Sequence, residues 1–159
     1  MTTKSEFTDE EWLRIMRAPM VAGLAISLAD PGGPIEAAKE SMQTVKSATN
    51  PPTREQLLAE VALEIQASVQ QRHNPLKGYR PAAGAPPGEQ VLEELRGVQE
   101  IVAAKATAEE AAAFARWLVA AAQAAADAAK EGGFLGFGAQ QVSERERVMV
   151  DRVRETVGA

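Results

Sequence analysis

Carboxylates that follow apolar helical stretches carry the clearest chemical potential in this chain. Asp30 closes the stretch Ala18–Ala29, and Glu36 and Glu40 come soon after it. In the second half, Asp127 and Glu131 end a comparable stretch, and Glu144 and Glu146 begin the next. Calcium takes about six to eight oxygens, from carboxylates and from backbone carbonyls such as those left free at a helix C-terminus. The spacing is not that of an EF-hand, because no Asp-x-Asp-x-Asp-Gly run occurs. Each of these acids also reads as a cap or turn residue, which needs no ion.

The remaining candidate chemistry narrows quickly. Gly132-Gly133-Phe134-Leu135-Gly136-Phe137-Gly138 is rich in glycine but lacks the Lys-Ser/Thr pair of a phosphate-binding loop. No strand precedes it, so it is not a dinucleotide fingerprint. It reads as a helix stop that folds apolar side chains onto the bundle end. Gly133, Phe134 and Phe137 are the residues it offers to a partner or a small ligand. His73, with Arg72, Lys77 and Arg80, forms the one basic cluster, to which an anion or an acidic partner could bind. Glu60 and Glu64 share a helix face at i, i+4 and read as a solvated surface.

Several reaction classes are excluded by residue type. With no cysteine there is no disulfide, thiolate zinc site, iron–sulfur cluster or cysteine nucleophile. A single histidine and no Glu-x-x-His rule out a di-iron carboxylate bundle. No serine sits in a Gly-x-Ser-x-Gly elbow. A non-enzymatic protein without an organic cofactor is the expectation.

The elements that must position these residues are helical. The 159 residues, 45% hydrophobic and 25% charged, suit one soluble globular domain. Aromatics are only 4%, so alanine and aliphatic side chains must fill the core. Four capping-box patterns, Thr8…Glu11, Thr53…Gln56, Thr107…Glu110 and Ser143…Glu146, mark helix starts. The spacing predicts helices over about 9–29, 35–49, 54–72, 88–104, 108–131 and 144–157. Expected inward stripes are Leu13, Met16, Met20, Leu24 and Leu28 in the first helix, and Ile35, Ala38, Met42 and Val45 in the second. Pro19 predicts a kink in the first helix. The fifth, rich in alanine around Phe114, Trp117, Leu118 and Val119, is expected to be central, with Arg116 and Asp127 paired if they are buried. Residues 144–155 alternate Arg and Glu/Asp as an exposed, ion-paired face. No segment alternates with period two, so an all-α bundle of about six helices is predicted. Its halves, 8–72 and 88–157, read as a pseudo-repeat joined by the turn-rich linker 73–87.

Charge and hydropathy bear on partners. Basic and acidic residues number 5 and 7 in residues 1–50, 5 and 7 in 51–100, and 7 and 8 in 101–159. With a net charge of −5 so evenly spread, nucleic acid is not an expected partner. The uncharged stretch Ala18–Ala29 is shorter than the roughly 20 residues a bilayer span needs. A buried core helix and a cytoplasmic location are the expectations.

Trp12-Leu13, Ala18-Pro19 and Ala25-Ile26-Ser27-Leu28-Ala29-Asp30, leading into glycines, resemble the first half of TerB-like proteins, the helical family associated with tellurite resistance. Gly132–Gly138 followed by Val142-Ser143-Glu144-Arg145-Glu146 resembles the corresponding segment of the second half. The resemblance implies an internally duplicated helical bundle with no catalytic activity and links to stress responses. It also implies that acids after the first helix of each half bind a divalent metal. Asp30 matches that position directly, and Glu131 or Glu144 matches it loosely. This chain has Asp-Pro-Gly-Gly-Pro where the family has Asp-Gly, and no Asp-Gly in its second half. The expected function is a stress-associated helical protein that binds calcium or another divalent cation through Asp30, Glu36, Glu131 and Glu144. The alternatives are a scaffold that binds a protein partner or a second copy of itself, and a small-ligand binder using the glycine loop.

Overall fold

The chain was analysed as a computed structural model, which describes residues 2–30, 34–74, 76–80, 84–130 and 143–159, without the side chains of 34–36, 129 and 130. A short 3-10 turn, Lys4–Glu6, precedes six helices: α1 (Asp9–Ala29), α2 (Pro34–Ala48), α3 (Gln56–Gln70), α4 (Pro87–Lys105), α5 (Ala108–Lys130) and α6 (Glu144–Val157). No strand occurs among the described residues, and the molecule is an all-α bundle.

α1 and α5 form its centre, each packing against all the other helices. α2 and α3 lie mainly on this pair, whereas α4 and α6 pack on the pair and on each other. The composition of α5 explains its position. Ala113, Ala121, Ala122, Ala125 and Ala126 are buried on several sides and let neighbouring backbones approach closely. Phe114, Trp117 and Leu118 fill the space between them. The Trp117 indole satisfies its one polar group by donating Nε1–H to the Ser47 carbonyl of α2 at 2.9 Å. The buried stripe Val91, Leu95, Val98 and Val102 of α4 lies at the expected spacing, as do Leu58, Val61 and Ile65 of α3.

Three of the expected caps close as bonded caps. Thr8 accepts from Glu11 N–H at 3.1 Å while the Glu11 carboxylate accepts from Thr8 N–H at 2.9 Å. Thr107 and Glu110 make the same reciprocal pair at α5. Ser143 accepts from Glu146 N–H at 3.2 Å. At α3 the N-cap is Glu55 instead, with no side-chain cap bond, so Thr53…Gln56 is not a capping box.

Two inward stripes differ from expectation. In α1 Trp12, Ile15, Ala18, Met20, Val21, Ala22, Ala25 and Ile26 are buried, while Leu13 is 56% exposed. Of the expected stripe, Met20 is thus buried, and Met16, Leu24 and Leu28 are half-buried against the core. Leu13 and Met16 line a groove beside the helix, and Met20 and Leu24 line its continuation. In α2 the buried positions are Glu40, Thr44 and Ala48, and Val45 is half-buried against the core as expected, while Ala38 is exposed and Met42 is 70% exposed; the Ile35 side chain lies outside the described residues. The polar face turns inward because Gly23 of α1 lets Thr44 approach. A Cβ at Gly23 would stand 2.3 Å from Thr44 Oγ1. Arg116 and Asp127 are exposed rather than buried. Pro19 sits within one continuous helix and leaves the Ile15 carbonyl without its usual N–H donor. α1 is also the one helix among the described residues long and apolar enough to cross a bilayer, but 56% of its apolar window is buried in the bundle.

Candidate functional site

The end of α1, the middle of α2 and the start of α6 bring three carboxylates to one pole of the bundle. Asp30 is the C-cap of α1, half-buried, with its N–H donated to the Ile26 carbonyl at 3.3 Å. One turn back, the Ser27 hydroxyl donates to Glu40 Oε2. Glu40 is only 4% exposed. Its helix is held against α1 at the Gly23–Thr44 contact, and Thr44 Oγ1 in turn donates to the Glu40 carbonyl at 2.8 Å.

Glu146 completes the group. It occupies the third position of α6, where a capping-box acid belongs, yet it is 5% exposed and its Oε2 is buried without a partner. Burial pushes the Glu146 carboxyl above the usual carboxylate range. The negative charges of Glu40 and Asp30 push the same way, and hydrogen bonding with Ser143 opposes them. The alternating charges of α6 therefore do not form one solvated face. Glu144, Arg147, Asp151 and Arg154 are exposed and make i, i+3 pairs, whereas Glu146 turns inward with Met149, Val150 and Val153.

Of the expected cation ligands, the structure places Asp30 in this acidic pole. Glu144 is exposed, with its carboxylate 4.0 Å from the Arg147 guanidinium. The Glu36 side chain, Glu131, and the loop residues Gly133, Phe134 and Phe137 lie outside the described residues. Glu40 and Glu146, also among the candidate acids for a cation, are buried here, whereas the alternating pattern of 144–155 places Glu146 on an exposed face. The signal for Glu40 is its i, i+4, i+8 register with Thr44 and Ala48, and for Glu146 its place in a capping box. Among the described residues, no group of three or more acidic or imidazole side chains stands close enough together to hold a metal ion as it is placed here. What the pole offers is concentrated negative charge and one buried, unpartnered oxygen.

A different kind of site runs along the displaced stripe of α1. A cavity of about 390 Å³ is lined by Leu13, Met16 and Arg17 of α1, Ile65 and Ser68 of α3, and His73, Asn74, Lys77 and Gly78 beyond α3. A second, of about 190 Å³, continues past Asn74 to Met20, Leu24 and Glu40. The linker is thus a wall of this groove. His73 N–H donates to the Ser68 carbonyl at 2.9 Å, closing α3 with Arg72 in the left-handed region at φ 59°. Arg17 Nη1 donates to the Lys77 carbonyl at 3.2 Å. Gly78, at φ 88°, passes so close to that guanidinium that a Cβ would stand 2.7 Å from Nη1.

A third buried carboxylate is structural. Glu110, 4% exposed, accepts from Thr2 Oγ1 at 2.6 Å, from Thr2 N–H at 3.2 Å and from Leu57 N–H at 3.3 Å. It ties the N-terminal segment and the start of α3 to α5. Searches against family models, curated proteins and solved structures found no match to the chain.

Proposed function

We propose that this chain is a non-enzymatic helical binding protein whose acidic pole, Asp30, Glu40 and Glu146, takes up a divalent cation, with calcium as the first candidate. The observation that carries the reading is the Glu146 carboxyl, buried beside two other carboxylates with one oxygen unpartnered. An unpaired buried carboxylate is costly, and like charges nearby add to the cost. A hard cation offsets both terms. It would complete its shell with water and with carbonyls at the C-terminal end of α1. Binding there would pin three helices together, so cation level would set the rigidity of this end of the bundle. A stress-associated role rests on the short motifs shared with TerB-like proteins.

Thermal unfolding in the presence of calcium or magnesium tests the proposal. A ligand at a hundred times its Kd stabilises by about 2.7 kcal/mol. For a domain of this size that is a rise in Tm of roughly 5–11 °C. Wild type should show this rise in millimolar calcium, and Glu146→Gln and Asp30→Asn should lose it. An unchanged wild-type Tm in both cations, or an equal rise in the variants, contradicts the proposal.

A further inference from the structure

The groove beside α1 combines features that point to a ligand quite unlike a cation. Its floor is apolar: Leu13, Met16 and Ile65 line the larger cavity, and Leu13 leaves 56% of its surface in solvent. Its charged lining is all basic, namely Arg17, His73 and Lys77. The volume, about 390 Å³, falls in the range of small-molecule sites, roughly 300–1,000 Å³.

Arg17 is the most informative of these residues. Its Nη1 is committed to the Lys77 carbonyl, but its Nε is buried and has no partner. Among the described residues, no carboxylate forms an ion pair with it. Glu94, whose charge reaches the neighbouring Tyr79, is held by Arg14 at 2.8 Å. A guanidinium that lines an apolar cavity, with one nitrogen anchored to a backbone carbonyl and Nε still without a partner, suits a carboxylate or phosphate head once its side chain turns to meet it.

The continuation of the groove sets the direction of a bound molecule. Beyond Asn74 the lining includes Glu40, which disfavours a second anion at that end. Met20 and Leu24 offer apolar surface on the way.

We infer that this groove binds a small amphiphile with an anionic head, the head at Arg17 between His73 and Lys77 and the tail along Leu13, Met16 and Ile65. The head site shares no residue with the acidic pole, whose Glu40 lines only the far end of the groove, so the two can fail independently.

Calorimetric titration with decanoate, decyl phosphate and decanol on the full chain tests it. The three probes share a tail length and differ in the head. At least one of the anions should bind tenfold or more tighter than decanol, as expected when a charge-assisted hydrogen bond to a buried guanidinium is gained. Arg17→Met, which keeps the apolar stem, should weaken the anions by about tenfold or more and leave decanol unchanged. Ser68→Leu, which fills the cavity from the α3 side, should abolish binding of all three and serves as the independent variant should Arg17→Met not fold. Equal binding of decanol and both anions, undiminished binding in Arg17→Met, undiminished binding in Ser68→Leu, or no binding of any probe to wild type would each overturn the inference.

Discussion

Replacing Glu110 with glutamine probes how the N-terminal half is attached to α5. The wild-type carboxylate uses two oxygens. Oε1 accepts from Thr2 Oγ1 at 2.6 Å and from Thr107 N–H at 3.4 Å. Oε2 accepts from Thr2 N–H at 3.2 Å and from Leu57 N–H at 3.3 Å. Glutamine keeps one acceptor and turns an NH₂ toward one of these pairs of donors. About two hydrogen bonds to a charged group are lost, each worth some 1.5–3 kcal/mol, with the longer ones at the low end. The surviving pair is weakened because its acceptor is neutral. The expected loss is about 2–4 kcal/mol, or roughly 4–16 °C in Tm. Burial raises the Glu110 carboxyl, but hydrogen bonds from Thr2 and Thr107 outweigh it and hold the group below the usual carboxylate range. Its contribution to stability is therefore present above the ordinary value of 4.5 and is lost as pH falls through the lower folded value. Circular dichroism melts of wild type and Glu110→Gln at pH 7 and at pH 3 measure both effects. The gap should be wide at pH 7 and smaller at pH 3, below the ordinary value of 4.5. A gap below about 1 °C at pH 7 would refute the idea that this carboxylate is a fastening point.

Two further outcomes follow from the acidic pole and its supports. Gly23→Ala drives a Cβ to 2.3 Å from Thr44 Oγ1 and should cost about 1–3 kcal/mol in urea unfolding. Adding Thr44→Ala should recover part of that loss, and strict additivity of the two substitutions would argue against the contact. Glu146→Gln, without added cation, should melt higher than wild type at pH 7. A carboxyl whose folded pKa lies above its ordinary 4.5 keeps its full contribution to stability below that value and loses it as pH rises through the folded pKa. The advantage of the variant should therefore shrink as melts are taken down to pH 4.

The helices were legible in the sequence because punctuation and periodicity agree. At α4, the period of Val91, Leu95, Val98 and Val102 and the stop after Lys105 all point one way. Facing was harder to read. In α1 the expected stripe meets the buried face at Met20, but that face also takes in Trp12, Ile15, Ala18, Val21, Ala22 and Ala25, so Leu13 and Met16 lie along the groove. In α2 the apolar period points to Met42, but the Gly23 contact selects Thr44 and Glu40. A hydrophobicity pattern weighs side chains one helix at a time, whereas close approach depends on which small residue faces which neighbour. The same limit bears on the acidic pole. Asp30, Glu40 and Glu146 are all legible as acids that flank apolar helices, but the sequence divides them between two halves, and the burial of Glu146 near Glu40 depends on how α6 packs. The basic cluster around His73 was legible in composition, while the cavity beneath it depends on the linker folding back on α1.

The central claim is that three carboxylates from α1, α2 and α6 form one cation site. Calorimetric titration of calcium into the wild-type chain at pH 7, beside Asp30→Asn, Glu40→Gln and Glu146→Gln, tests it most directly. A single binding event in the wild type that is lost in all three variants is the predicted result. No heat of binding in the wild type, or a site that survives each substitution, would contradict the account.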